Sequence, residues 1–408
     1  MSRLPLYILI SILAGVGCGL LLTPQSMVYP AVVLTADLFL RLLKMIVVPL
    51  IFTSLVTGVL SIKDIRRLGK MGGTTLAYYL LSSSLAVLTG LIAVNLIRPG
   101  IRSTLTLSSQ TVPELEYAGL GDILVRLIPD NPFGAMAQGQ VLPVIMFALF
   151  LGIVLLSFKP EKVQTITSLF EEGFSVMMKM TTWILFTAPL GIWALVTRVF
   201  AETGTSVIRP LAWYFLTVSL ALCLHFFVSL PLIIRFISRR SPFAYMKNLF
   251  PALATAFSTA SSSATLPLTM ECVEERANID NRVSSFVLPL GATINMDGTA
   301  LYEAVAAIFI AETYGISLSL TQQVTIFATA ILASIGAAGI PMAGLVMMAV
   351  VLRAVGLPLE GVGLIIGVDR FLDMMRTATN VWSDAVGCSV VQRLSGEDRP
   401  DSPQVTQT

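Results

Sequence analysis

Residues 367–395 place five polar side chains on one helical face of an otherwise membrane-like stretch, and any fold open to this chain has to bury them. Asp369, Asp373, Arg376, Asn380 and Asp384 are spaced 4, 3, 4 and 4 residues apart. At about 100° per residue they fall within an arc of roughly 60° to 80°. The opposite face, with Phe371, Met374, Met375, Ala378, Val381, Trp382 and Ala385, is apolar. Carboxylates and a guanidinium at membrane depth are costly unless each meets a partner, an ion or a wet cavity. The helix is therefore expected to form one wall of a binding site. The simplest competing reading is a buried Arg376–Asp373 ion pair that only fixes packing. It leaves Asp369, Asp384 and Asn380 without partners.

The apolar setting extends over the whole chain. Of 408 residues 55% are hydrophobic and 12% charged, and the mean hydropathy is +0.83. An all-α integral membrane protein that crosses a lipid bilayer several times follows. The formal net charge of +2 is gathered between apolar runs and implies no nucleic-acid partner. Cys18, Cys223, Cys272 and Cys388 lie far apart, without metal-ligand spacing, and read as buried free thiols. The lone histidine, His225, sits in an apolar run with no acidic neighbour in sequence, so a packed or pore-facing role is expected for it rather than that of a ligand or proton shuttle.

Apolar runs at residues 4–22, 34–60, 76–97, 141–158 and 207–237 read as spans, joined by a long amphipathic helix over 163–200 that passes through Pro189. The less hydrophobic segment 100–140, with Pro113, Pro129 and Pro132, reads as a connection with short helical pieces. Basic residues cluster at Lys63, Arg66, Arg67 and Lys70, at Lys159 and Lys162, at Arg235, Arg239, Arg240 and Lys247, and at Arg393. With Arg3 they put alternate connections in the cytoplasm, so the span count is even and both termini are cytoplasmic.

From Pro251 the pattern changes. Residues 251–267 are hydrophobic but interrupted by Ser261, Ser262, Ser263 and Pro267, and each arm is too short to cross a core of about 30 Å. A re-entrant hairpin with a serine-rich tip is expected. Residues 283–310 form a full span broken at Asn295-Met296-Asp297-Gly298-Thr299; unwound backbone is tolerated there only where it lines a cavity or is buried in protein. Its freed carbonyls and Asp297 suit a hard cation such as Na⁺. Residues 324–355 repeat the hairpin theme with a tip at 334–344, followed by the polar helix. The two halves share one plan in opposite orientations, an inverted repeat that points to a secondary transporter.

The motifs SSSATLP at 261–267, LPLGATINMDGTALYEA at 288–304, SIGAAGIP at 334–341 and DMMRTATNVWSD at 373–384 resemble the dicarboxylate/amino acid:cation symporter family. That family includes archaeal aspartate transporters and vertebrate excitatory amino-acid transporters. The resemblance continues upstream through RLLKMIVVPLIFTSLVTG at 41–58, YYLLSSSLAV at 78–87 and NPFGAMAQGQVLPVIMFA at 131–148, and so covers nearly the whole chain.

It implies eight transmembrane helices plus two re-entrant hairpins in a homotrimer of elevator type. Residues 1–75 would hold the first two spans, 76–98 the third, 99–203 the fourth and fifth, and 204–395 the transport core. Within that core it puts the first hairpin at about 243–275, the seventh span at about 279–314, the second hairpin at about 321–356 and the eighth span at about 358–395. The second, fourth and fifth spans would be the static scaffold, and the second hairpin the extracellular gate. Residues 396–408, polar and proline-containing, read as a disordered tail.

Carried over by residue, the resemblance implies a substrate site of backbone near Ser262, Thr299, Asp373 for an α-amino group, Arg376 for a side-chain carboxylate, Thr377 and Asn380, closed by backbone around Ile340 and Gly344. One Na⁺ site would use Gly291, Asn295, Asn380 and Asp384; another would use backbone near Thr293, Ser334 and Ile335. A third would use Tyr79, Ser82, Ser83, Asn295 and Asp297. Glu303 matches a glutamate that carries a proton and is associated with K⁺ counter-transport in vertebrate members, so H⁺ and K⁺ join Na⁺ as implied coupled ions; a hydrogen-bonded neutral acid is the structural alternative. Arg376 favours aspartate or glutamate, because members selective for neutral amino acids lack that arginine and a planar guanidinium suits a carboxylate.

The chain departs from the family in one respect. A second arginine that other members carry falls here on Ala260 or Met374, unless Arg370 substitutes from the adjacent face. The expected function is Na⁺-driven import of acidic amino acids across the cell membrane. Proton-coupled C4-dicarboxylate uptake and neutral amino-acid exchange are the transport alternatives. An intramembrane aspartyl protease would need a Gly-x-Gly-Asp arrangement that the motif at Asp297 does not supply, and an ion channel alone has no need of Arg376.

Overall fold

The computed structural model describes residues 4–60, 65–101, 128–335 and 343–396. Most of the connection at 100–140, the tip of the second hairpin with Ile340, and the tail after Gly396 lie outside these residues. The described chain is helical. α1 (Leu4–Leu21), α2 (Tyr29–Leu60) and α3 (Ile65–Ile97) precede a short α4 (Pro132–Gln138), α5 (Val141–Ser157) and the 44-residue α6 (Pro160–Thr203). Then come α7 (Ile208–Leu224), α8 (Pro242–Thr259), α9 (Ser262–Glu271), α10 (Asn281–Ile294), α11 (Asp297–Thr313), α12 (Leu320–Ile335), α13 (Ala343–Ala354) and α14 (Val362–Ser395).

Hydrophobicity is turned outward as well as inward. Leu13, Leu21, Leu96, Phe150 and Phe236 are exposed, while Asp297, Glu303, Asp369, Arg376 and Asp384 are buried. An apolar surface around a polar interior is stable only in lipid, and this is a multi-pass membrane protein. Among the described residues, helical stretches at 70–97, 186–238 and 281–313 are long and apolar enough to cross a bilayer. The apolar helical stretches at 10–21, 48–60, 143–157 and 320–335 are shorter.

Two packing groups organise the helices. α1 and α2 lie along α6, and α2 also packs on α5. Small residues permit the close approach: Cβ atoms on Gly15 and Gly19 of α1 would meet Val196 and Phe200 of α6 at 2.9 and 2.6 Å. The second group surrounds α11 and α14, which pack on each other and on α3 and α7; α8 and α10 join on the α14 side. α11 is buried almost throughout, so the polar side chains it carries depend on partners inside the protein rather than on water.

α8 and α9 pack against each other across a turn at Ala260 and Ser261. Ala260 takes the left-handed conformation, φ 51°, and its N–H closes the last turn of α8 on Ala256 O. Ser261 then caps α9 by accepting from Ala264 N at 3.2 Å. α12 and α13 also pack against each other.

After α7 the helix continues through a π-turn at His225–Ser229, a short α segment at Leu230–Ile233 and a second π-turn at Ile234–Ser238. Pro231 explains part of this. The Leu230 N–H bonds back to His225 O, so Phe226 O would need a donor from residue 231, and proline has none. The Trp382 indole of α14 supplies it at 3.1 Å. A local defect in one helix thus becomes a tie to the central one.

Candidate functional site

The site grows from the break between α10 and α11. At Asn295 (φ −101°, ψ 82°) and Met296 (φ −113°, ψ 63°) the backbone leaves the helix, and α11 restarts with Asp297 in its first turn. A carboxylate there opposes the positive end of the helix dipole. Asp297 is fully buried. Its Oδ1 accepts from Ser83 Oγ at 2.7 Å and Ser82 Oγ at 3.3 Å. Its Oδ2 accepts from Ser383 Oγ at 2.6 Å and lies 3.2 Å from His225 Nε2.

Asn295 links this carboxylate to the next. Its Nδ2 donates to Ser383 Oγ at 3.0 Å and Asp384 Oδ1 at 2.9 Å, while its Oδ1 accepts from Ser82 Oγ at 3.2 Å. A Cβ on Gly291 would fall 2.4 Å from Asp384 Oδ1 and 2.9 Å from the Tyr79 hydroxyl, so only glycine leaves room here. Tyr79 donates to Val287 O at 2.6 Å. Asn380 Oδ1 accepts from Gly298 N at 2.8 Å and its Nδ2 donates to Thr299 Oγ1 at 3.3 Å, tying α14 to the start of α11. Oxygen ligands of this kind, hydroxyl, amide and carboxylate, match hard cations rather than soft ones.

Thr293 and Ser334 are satisfied locally: their hydroxyls donate to Leu290 O at 2.9 Å and Ile331 O at 2.8 Å. α10 and α12 touch, and Ile335 ends α12, half-buried, beside Ser334. The hydroxyls of Thr293 and Ser334 thus bond within their own helices, whereas Ser82, Ser83 and Asn295 bond across helices to Asp297 and Asp384.

Toward the start of α14 lies a second cluster. Arg376, 1% exposed, has Nη2 2.7 Å from Asp373 Oδ1 and Nη1 3.1 Å from Asp369 Oδ1. Its Cζ sits 3.9 Å over the centre of the Tyr302 ring, a cation–π contact. A Cβ on Gly344 would lie 2.8 Å from Arg376 Nη1, so α13 meets the guanidinium through a residue without a side chain. Thr377 is buried, and so is Ser262 in the first turn of α9, which packs on α14. Glu303 lies one turn after Thr299 on α11, fully buried, with neither carboxyl oxygen hydrogen-bonded among the described residues.

The Arg376–Asp373 pair forms, and the residues that it would have left over find partners as well: Asp369 on Arg376, Asp384 on Asn295, Asn380 on Gly298 and Thr299. His225 requires a correction. It is buried as expected, but it has an acidic partner in Asp297, brought in from 72 positions away, which sequence neighbours could not reveal. Ser383 was also missed, although at seven residues after Arg376 it shares the polar face.

Replacing His225 by phenylalanine leaves Asp297 Oδ2 with Ser383 as its one partner on that side. The expected cost is about 1–3 kcal/mol of stability, the penalty of an under-satisfied buried acceptor. A lower melting temperature of the purified variant in sodium-free buffer is the check, and an unchanged one would show that the contact carries no weight.

Residues 4–394 match the Sodium:dicarboxylate symporter family. The chain belongs to that family. It is accordingly a transporter and not an enzyme, and the polar interior of this symporter is not protease machinery. An excitatory amino acid transporter of Caenorhabditis elegans is 38% identical over 95% of this chain and 87% of its own length. A proton/sodium-glutamate symport protein of Geobacillus stearothermophilus is 32% identical over 96% and 94%. Excitatory amino acid transporter 3 of Bos taurus is 35% identical over 89% and 79%.

Proposed function

We propose that this symporter imports acidic amino acids, L-aspartate or L-glutamate, on the Na⁺ gradient. The observation that carries the reading is Arg376: a buried guanidinium whose Cζ lies over the Tyr302 ring and which the α13 backbone reaches at Gly344. A fork of parallel donors in a water-poor site suits a carboxylate. The substrate's side-chain carboxylate would take Arg376 and its ammonium Asp373, with Ser262, Thr299, Thr377 and Asn380 meeting its remaining polar atoms and backbone at Ile340 and Gly344 closing over it. Relatives named as excitatory amino acid transporters and glutamate symport proteins support the substrate class.

Sodium would bind at Tyr79, Ser82, Ser83, Asn295 and Asp297, at Gly291, Asn295, Asn380 and Asp384, and at Thr293, Ser334 and Ile335. Glu303, buried one turn after Thr299 on α11 without a hydrogen-bond partner among the described residues, would carry a proton and connect transport to K⁺. The fold would work as an elevator of eight spans and two re-entrant hairpins. α2, α5 and α6 would stand still in a homotrimer, while α3, α7 and the helices from α8 to α14 slide, with α12 and α13 as the extracellular gate. The membrane would be the cell membrane, with both termini cytoplasmic.

The test is uptake of radiolabelled L-aspartate into proteoliposomes under an inward Na⁺ or an inward H⁺ gradient, each with and without internal K⁺. Uptake that follows Na⁺ is expected. Uptake that follows H⁺ alone, with succinate competing as strongly as aspartate, would replace this reading by proton-coupled C4-dicarboxylate transport.

A further inference from the structure

Two turns of α14 carry Asp369, Arg370, Asp373 and Arg376, and the structure links them in a chain of alternating charge. Arg376 bridges Asp369 and Asp373 at 3.1 and 2.7 Å. The other oxygen of Asp373, Oδ2, lies 3.7 Å from Arg370 Nη1. Asp373 therefore sits between two guanidinium groups. Their environments differ: the Arg376 side chain is 1% exposed, whereas that of Arg370, at the other end of the chain, is 17% exposed. Positions 260 and 374, occupied by Ala260 and Met374, bring no cation of their own.

We propose that Arg370 is a specificity-determining residue of the substrate site, the charge that lets it accept a net-negative amino acid in preference to a neutral one. The proposal rests on the reading that Arg376 takes the substrate's side-chain carboxylate. With Asp369, Asp373, Arg370 and Arg376 all ionised, the cluster sums to zero. An acidic amino acid adds one negative charge. Without Arg370 the same binding event would bring two uncompensated negative charges together in a poorly solvated site.

Arg370 also matters at the moment of exchange. When Arg376 turns to the incoming carboxylate, Asp373 loses its closer partner, and Arg370 remains to compensate it while the ammonium docks. A neutral amino acid, with no net charge, gains little from Arg370. Partial exposure weakens the effect by solvent screening, so about tenfold in affinity is expected rather than a hundredfold.

The experiment compares inhibition of Na⁺-driven aspartate uptake by L-aspartate and by L-asparagine, its neutral near-isostere, in proteoliposomes of Arg370→Gln, Arg370→Met and Arg370→Lys. In the Gln and Met variants the aspartate constant should rise about tenfold and the asparagine constant stay within about twofold. The Lys variant, which keeps the charge, should restore the wild-type ratio.

Equal shifts for both amino acids would reduce Arg370 to a packing residue and overturn the proposal. An unchanged or tightened aspartate constant would overturn it as well. Two different neutral replacements guard against a single variant that fails to fold. Arg376→Ala, run alongside, separates the two claims: full aspartate uptake there would sink the carboxylate reading itself, whereas loss there with an unaltered ratio at Arg370→Gln would sink this proposal alone.

Discussion

Arg376→Ala is expected to lower L-aspartate and L-glutamate uptake at least about a hundredfold, the loss that follows when one partner of a buried, charge-assisted interaction worth about 3–5 kcal/mol is removed. Two contributions add up. On the proposed reading the substrate's carboxylate loses its bidentate donor, and Asp369 and Asp373 lose the cation that both of them face. The second contribution acts on the protein without substrate, so stability has to be followed as well as uptake. Arg376→Lys separates the two. It keeps a positive charge near Asp369 and Asp373 but offers a point charge in place of the planar fork that lies on Tyr302. The lysine variant should therefore stay folded and still lose most of its acidic-substrate affinity. Unchanged aspartate and glutamate affinity in the alanine variant would remove Arg376 from the site.

Much of this was legible in the sequence because the membrane makes polar residues conspicuous. The arc from Asp369 to Asp384 stood out on an apolar helix, and each of its members is buried. The break at Asn295 and Met296 fell where Asn, Asp and Gly interrupt a hydrophobic span. Helix ends were less legible, because hydropathy reports the lipid-facing part and not the hydrogen-bonded one. α3 starts at Ile65, eleven residues before its apolar run, since the basic and glycine-containing turns ahead of it remain helical. α2 starts at Tyr29, with Pro30 in the first turn where its missing N–H is no loss.

Side-chain partners across helices were the least legible. Tyr302 under Arg376 and His225 beside Asp297 are pairings made by packing between residues far apart in sequence, which no periodic cue announces. Among the described residues, such pairs surround Arg376, Asp297 and Asp384, while the carboxyl of Glu303 has no hydrogen-bond partner. Asp369 and Asp373 hold Arg376; Ser82, Ser83, Ser383 and His225 surround Asp297; Asn295 holds Asp384. Substrate and cations would enter such a core by exchanging with partners already in place, which keeps the desolvation cost of each charge compensated at every stage.

That exchange makes Asp297→Asn the most informative change at the proposed cation sites. The Asp297 carboxylate faces donors on both oxygens: Ser83 and Ser82 on one, Ser383 and His225 on the other. Serine hydroxyls can rotate to turn a lone pair toward a cation, so the same atoms that satisfy the carboxylate can complete an oxygen cage around Na⁺. Asparagine keeps the shape but removes the charge and points an NH₂ at groups that are themselves donors. Because it takes away a buried charge rather than stranding one, folding should be affected less than ion binding. The Na⁺ concentration for half-maximal aspartate uptake is expected to rise at least about tenfold, while the ratio of aspartate to asparagine inhibition, proposed to be set at Arg376 and Arg370, stays as in the wild type. An unchanged sodium dependence would place the coupling ion elsewhere. A lost aspartate preference with normal sodium dependence would mean that the two clusters on α14 do not divide the work between ion and substrate in this way.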